Sequence, residues 1–121
     1  LASDLKKTLS NTVKLTKKNK KITVNLAINY GSKNEIMNAF KYSSKNLSKK
    51  KFEENLYTSG MPDPDILIRT GGQKRLSNFM LWQLAYSELF FLDKLWPEFK
   101  TSDLKKIIKK FHRIKRNFGA I

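Results

Sequence analysis

Leu5, Leu9, Val13 and Thr16 recur about every four residues between lysines, and this spacing predicts an amphipathic helix that ends near Lys17 to Lys21. The period then changes. Ile22, Val24, Leu26 and Ile28 alternate with Thr23, Asn25 and Ala27, the two-residue repeat of a strand with one apolar face, closed by Asn29-Tyr30-Gly31. Ser32 and Glu35 have capping-box spacing and predict the start of a helix carrying Ile36, Met37 and Phe40, and a shorter helix with Leu47, Phe52 and Leu56 follows. Pro62 and Pro64 keep the next stretch from being helical, so it reads as a turn-rich connector. It leads into Ile66-Leu67-Ile68, an apolar run too short for a helix and typical of a parallel strand covered on both faces. After Thr70-Gly71-Gly72, Ser77 reads as the N-cap of a further helix, with Leu76 and Leu81 as a hydrophobic staple. No charge occurs from Leu76 through Ser87, which predicts a helix buried on nearly every side. Glu88 to Asp93 predicts a second short strand. Leu104, Ile107, Ile108, Phe111, Ile114 and Phe118 mark one side of a final helix beginning near Ser102.

Strands alternating with helices predict an α/β fold: a largely parallel central sheet flanked by helices. A chain of 121 residues with 40% hydrophobic residues suits one such unit with one core. The chain lacks cysteine, so it has no disulfide framework, no thiolate nucleophile and no Cys-based zinc site. His112 is its single histidine, so no triad of the Ser-His-Asp kind can be assembled from it. No uncharged stretch approaches the ~20 residues that cross a bilayer as a helix, and no signal peptide is evident at the start.

Charge narrows the chemistry further. A formal net charge of +15 favours phosphate-bearing partners, whether nucleic acid, anionic lipid or a small diphosphate. Residues 69 to 78, "RTGGQKRLSN", concentrate that preference. In an open parallel sheet, ligands sit beyond the carboxyl ends of the strands, and Arg69 is the last residue of a predicted one. Gly71 and Gly72 permit a tight turn, and Arg69 and Arg75 can each pair two parallel N–H groups with phosphate oxygens, which lysine cannot do. Ser77 adds a hydroxyl. The spacing matches neither the phosphate loop G-x-x-x-x-G-K-[ST] nor the dinucleotide fingerprint G-x-G-x-x-G. Glu88, the first charge after the uncharged run, is a candidate for holding a metal, for organising the arginines or for a salt bridge. Asp63-Pro64-Asp65 imitates a paired-aspartate metal motif, but its two prolines point to a rigid turn. A basic nucleic-acid-binding module is the competing reading. Its weakness is that the aromatics fall in uncharged segments instead of interleaving with the lysines.

Residues 57 to 99, "YTSGMPDPDILIRTGGQKRLSNFMLWQLAYSELFFLDKLWPEF", closely resemble the C-terminal signature region of cis-prenyltransferases, the undecaprenyl diphosphate synthase family. "NLAINYGSKNEI", Asn25 to Ile36, is similar to the family's Asn-Tyr-Gly-Gly-Arg segment, and "KRNFG" to its basic tail. The resemblance implies condensation of isopentenyl diphosphate with an allylic diphosphate such as farnesyl diphosphate, assisted by Mg2+, to give a polyprenyl diphosphate. It implies that Arg69, Arg75 and Ser77 hold the isopentenyl diphosphate, with Asn29, Gly72 and Lys74 as further candidate contacts, and that Glu88 serves the metal. It also implies a homodimer in the cytoplasm whose product associates with the membrane. A catalytically silent partner subunit is the variant reading. Ser32 and Lys33 replace the family's second Gly and Arg, and Asn117 stands where its tail has an Arg, with Arg116 beside it. The family's N-terminal segment, which carries the metal-binding aspartate, has no counterpart here. Residues 1–121 are therefore expected to be the C-terminal portion of one catalytic domain, without a catalytic residue of its own and inactive alone.

Overall fold

The structure, a computed structural model, describes residues 2–119. Four α-helices and two strands make up its regular elements: α1 (Ser3–Thr16), α2 (Ser32–Ser43), α3 (Lys49–Glu53), β1 (Ile66–Arg69), β2 (Glu88–Phe91) and α4 (Thr101–Phe111). Single 3-10 turns follow α2 and precede α4. β1 and β2 pair in parallel, with Ile66 opposite Glu88 and Arg69 opposite Phe91. The expected α/β arrangement, a parallel sheet with flanking helices, is the one observed.

The core is centred between α2 and α3. Ala39, Phe52 and Leu56 are buried together with Ile36 packed on them, and the Phe52 ring meets Trp82 at 4.6 Å between centroids. α3 starts where Ser48 Oγ accepts the Lys51 N–H at 3.2 Å, so the short helix owes its start to a side-chain cap. At α4, the Asp103 carboxylate reaches back to accept the Lys100 N–H at 2.9 Å. α1 forms as its period predicts, but none of its residues is buried. Thr8, Thr12 and Thr16 each donate their hydroxyl to the carbonyl four residues earlier at 2.9 Å, an arrangement internal to the helix.

Four expectations are corrected. Residues 22–28 form no regular element and join no ladder, and Ile22 and Val24 are 77% and 75% exposed. Alternation specifies a face, whereas a strand also needs a partner edge, and none is offered to this segment among the described residues. Residues 77–86 form successive turns instead of a helix. Ser77, Asn78 and Met80 have φ of 48°, 65° and 46°, left-handed values that no right-handed helix accepts. In this stretch Gln83 and Leu84 are buried, Trp82 lies over Phe52 with 38% of its surface exposed, and Tyr86 is 59% exposed. The Ser32/Glu35 capping box does not form, because Gly31 is the N-cap and both side chains are used by tertiary contacts. The final helix ends at Phe111, and Ile114 and Phe118 belong to the tail beyond it.

Candidate functional site

β1 ends at Arg69, whose carbonyl accepts the Leu92 N–H at 2.8 Å and so prolongs the parallel register past the strand. The chain then turns at Gly71 and Gly72, with φ of 89° and 74°, values that glycine adopts without steric cost. The turn is tied to the segment after β2: Gly71 N–H donates to Lys94 O at 2.8 Å and Gly72 N–H to Leu92 O at 2.9 Å. The peptide that leaves Arg69 is thus fixed at both ends of the turn.

From this anchored base the Arg69 side chain reaches the loop that follows. Its Nη1 donates to the Arg75 carbonyl and to Ser77 Oγ, the latter at 3.0 Å. Because Ser77 accepts that bond, its own O–H is left to donate. Arg69, Arg75 and Ser77 line one open cavity of about 300 Å³, floored by Leu67, Ile68, Leu76 and Phe79. The volume is at the lower end of ligand pockets. The Arg75 and Lys74 side chains make no hydrogen bond or ion pair among the described residues. What converges here is a guanidinium braced by its own loop, a second, unpaired guanidinium and a hydroxyl free to donate. That set suits an anion with several oxygens. Ser77 contributes its hydroxyl from a left-handed turn, not from the helix start that its position predicted.

The other candidates lie elsewhere. Gly72 shapes the turn and Lys74 is exposed on the loop, while Asn29, with a φ of 53°, bends the chain after residues 22–28 and lines none of this cavity. Glu88 opens β2, so the parallel register puts it at the opposite end of the sheet from Arg69. Its carboxylate lies 3.9 Å from Arg116 Nε. Of the roles weighed for Glu88, the structure displays the salt bridge, with Arg116 as the cation. Asp65 is also engaged by Arg116, and its carbonyl accepts the Glu88 N–H at 2.9 Å, so Asp63-Pro64-Asp65 serves as the turn into β1. Among the described residues no three of His, Cys, Asp and Glu gather where they could hold a metal ion. The donor set in this chain therefore does not by itself fit Mg2+ at the arginine cavity.

Arg116 is engaged on several sides. It donates to Asp65 Oδ1 and to the Tyr86 carbonyl, and its guanidinium lies over the rings of Phe111 and Phe118 at 5.3 and 4.4 Å. These contacts place Arg116 beside Asp65 and Glu88, away from the residues that line the arginine cavity. Lys33 contributes its backbone N–H, which donates to Asn78 Oδ1 at 2.8 Å, while its side chain is exposed.

A buried polar knot, missed from the sequence, packs behind the cavity. Glu35 accepts from the Tyr57 N–H at 2.7 Å, from Gln83 Nε2 at 3.1 Å and from the Tyr30 hydroxyl. Ser32 Oγ accepts the Leu81 N–H at 2.9 Å. Burial, and then the Glu35 carboxylate beside it, hold the Tyr30 phenol above its ordinary pKa. Ser32 thus has a defined task, satisfying a loop N–H that would otherwise lack this acceptor.

Residues 1–119 match the Prenyltransf family model, described as undecaprenyl diphosphate synthase. The isoprenyl transferase of Fusobacterium nucleatum is 46% identical over 110 residues, covering 88% of this chain and 47% of that protein. The isoprenyl transferase of Rickettsia prowazekii is 43% identical over 123 residues, covering 98% and 54%. The chain thus spans about half the length of the curated relatives it matches. Among solved structures, lavandulyl diphosphate synthase from Lavandula x intermedia, in complex with dimethylallyl diphosphate, superposes with a TM-score of 0.91 at 33% identity over 98% of this chain and 56% of that one. A probable undecaprenyl diphosphate synthase from Campylobacter jejuni gives 0.85 at 35% identity over 98% and 58%. With a family match across nearly its whole length and a parallel sheet that ends in an arginine-lined cavity, this chain belongs to the undecaprenyl diphosphate synthase family of prenyltransferases.

Proposed function

We propose that this chain supplies the isopentenyl diphosphate site of a cis-prenyltransferase. That enzyme joins isopentenyl diphosphate to an allylic diphosphate, farnesyl diphosphate, and lengthens the product as a polyprenyl diphosphate such as undecaprenyl diphosphate. The observation that carries the reading is the convergence of Arg69, Arg75 and Ser77 on one open cavity at the carboxyl end of β1. Arg69 is braced before any ligand arrives, so little ordering remains to oppose binding, while Arg75 keeps its donors for the diphosphate. Leu67, Ile68 and Phe79 give the adjoining wall an apolar character suited to a five-carbon alkene. The chain's contribution to the reaction is to hold the diphosphate so that the alkene faces the allylic carbon, a gain from orientation.

The remainder of the reading concerns the whole protein. Residues 1–121 are taken as the C-terminal portion of its catalytic domain, paired as a homodimer, with the product at a membrane surface. No helix among the described residues is long and apolar enough to cross a membrane. Mg2+ belongs to the family reaction, but the carboxylates described here are not grouped to hold it at the cavity, and no step is assigned to it.

The test is Arg69→Ala in the whole protein. Loss of one charged, partly enclosed donor set is expected to weaken isopentenyl diphosphate about tenfold to a hundredfold, read as KM for isopentenyl diphosphate with KM for the allylic substrate little changed. Equal loss for both substrates, or for neither, would defeat the assignment.

A further inference from the structure

Asn78 follows Ser77 directly and joins the arginine cavity to α2. Its main-chain carbonyl accepts the Ser32 N–H at 2.8 Å, and its side-chain Oδ1 accepts the Lys33 N–H at 2.8 Å. Those are the first two N–H groups of α2, which have no acceptor within their own helix. Asn78 therefore caps α2 from another part of the chain, and the helix start is occupied, not open to a ligand. The same residue has φ of 65° and Ser77 has φ of 48°, conformations that L-residues keep only when their surroundings hold them. Asparagine tolerates that region better than most residues.

The fit is close on the other side as well. A Cβ on Gly31 would lie 2.9 Å from Asn78 Nδ2. Gly31 has φ of −150°, an extended value open to any residue, so a larger residue at 31 would disturb the Asn78 carboxamide and not the backbone at 31. The carboxamide is thus held between the α2 start and the loop that carries Ser77.

We infer that Asn78 is a positioning residue of the anion cavity: by capping α2 it fixes the left-handed turn that sets Ser77 Oγ against Arg69 Nη1. Asn78 acts through these two side chains and does not touch the ligand itself. The inference rests on the proposed diphosphate reading of the cavity. If the cap is lost, the turn must be ordered when the ligand binds, and affinity falls by that cost.

The experiment is calorimetric titration of inorganic diphosphate into the whole protein, for the natural sequence, Asn78→Gly, Gly31→Ala, the double variant and Arg69→Ala. Glycine at 78 accepts a left-handed φ and keeps the main-chain carbonyl, so only the carboxamide is removed. Asn78→Gly and Gly31→Ala are each expected to weaken diphosphate about threefold to tenfold, with the helical signal in circular dichroism retained. The double variant should be no weaker than Asn78→Gly, because the added methyl acts only by displacing the carboxamide. A merely structural role would lower the melting temperature and leave affinity alone. If Asn78→Gly and Gly31→Ala stay within twofold of the natural protein while Arg69→Ala loses binding, the positioning role is wrong and the diphosphate reading stands. Additive losses in the double variant would also overturn it. If the natural protein binds no diphosphate, or Arg69→Ala binds as well as it does, both fall together.

Discussion

Asp103 closes two contacts at once. One carboxylate oxygen receives Lys94 Nζ at 2.8 Å, and the other receives the Lys100 N–H at 2.9 Å at the start of α4. The Lys94 hydrogen bond, followed by the backbone one, holds this carboxyl below its ordinary pKa. A lowered folded value means that the folded chain takes up the proton less readily than the unfolded one, so stability rises with pH across that interval. The contribution is complete above the ordinary carboxylate range, about pH 4, and disappears as pH falls through the folded value. Thermal melts of the natural protein and Asp103→Asn should therefore differ at neutral pH and converge in acid; a difference that persisted at low pH would contradict the linkage. Glu35 is 1% exposed and accepts from three uncharged donors, a backbone N–H, an amide and a phenol. Those three bonds offset its desolvation.

Between elements, one side chain makes the tail's long-range hydrogen bonds among the described residues, while Phe118 packs on Tyr86 at 6.1 Å between centroids. Arg116 ties residues beyond α4 to the turn before β1 and to the carbonyl of Tyr86 just before β2. Arg116→Ala should remove the ion pair to a largely exposed Asp65 and the stacking on Phe111 and Phe118, costing about 1 kcal/mol as measured by chemical denaturation; Arg116→Lys should recover little, because lysine has neither the planar fork nor the ring stacking. The elements themselves were unevenly legible. Periodicity located α1 to α4, and the short apolar runs located β1 and β2, because each pattern reflects the element's own repeat. The 77–86 stretch was misread as a helix because its left-handed residues are imposed by contacts with Arg69 and with α2, 40 or more residues away in the second case. The 22–28 stretch was misread because pairing is a property of two segments, not of one. Arg69, Arg75 and Ser77 stand out by residue type near a glycine turn, whereas Asn78, six residues past that turn, carries no such signal. The commitment of Arg116 to Asp65 was invisible, since the two residues are 51 positions apart.

Across the whole molecule, order is distributed unequally. β1 and β2, the glycine turn and the knot around Glu35 are cross-linked by hydrogen bonds from several parts of the chain, while α1 buries nothing and residues 22–28 lack a ladder. Native-state hydrogen exchange should therefore be fastest in residues 3–28 and slowest at the β1–β2 ladder and the start of α2; slow exchange in residues 22–28 would show that a partner edge covers them. The uncovered alternation of Ile22, Val24, Leu26 and Ile28 bears on handling as well. Such an edge can recruit an identical copy and seed fibrous aggregates, and lysines at 17, 18, 20 and 21 stand beside it as electrostatic gatekeepers. Their repulsion is screened by added electrolyte, with a Debye length of about 10 Å at 0.1 M salt. Concentrated stocks of this chain should thus keep best in dilute buffer, and the high-salt washes customary for so basic a polypeptide would shorten their shelf life.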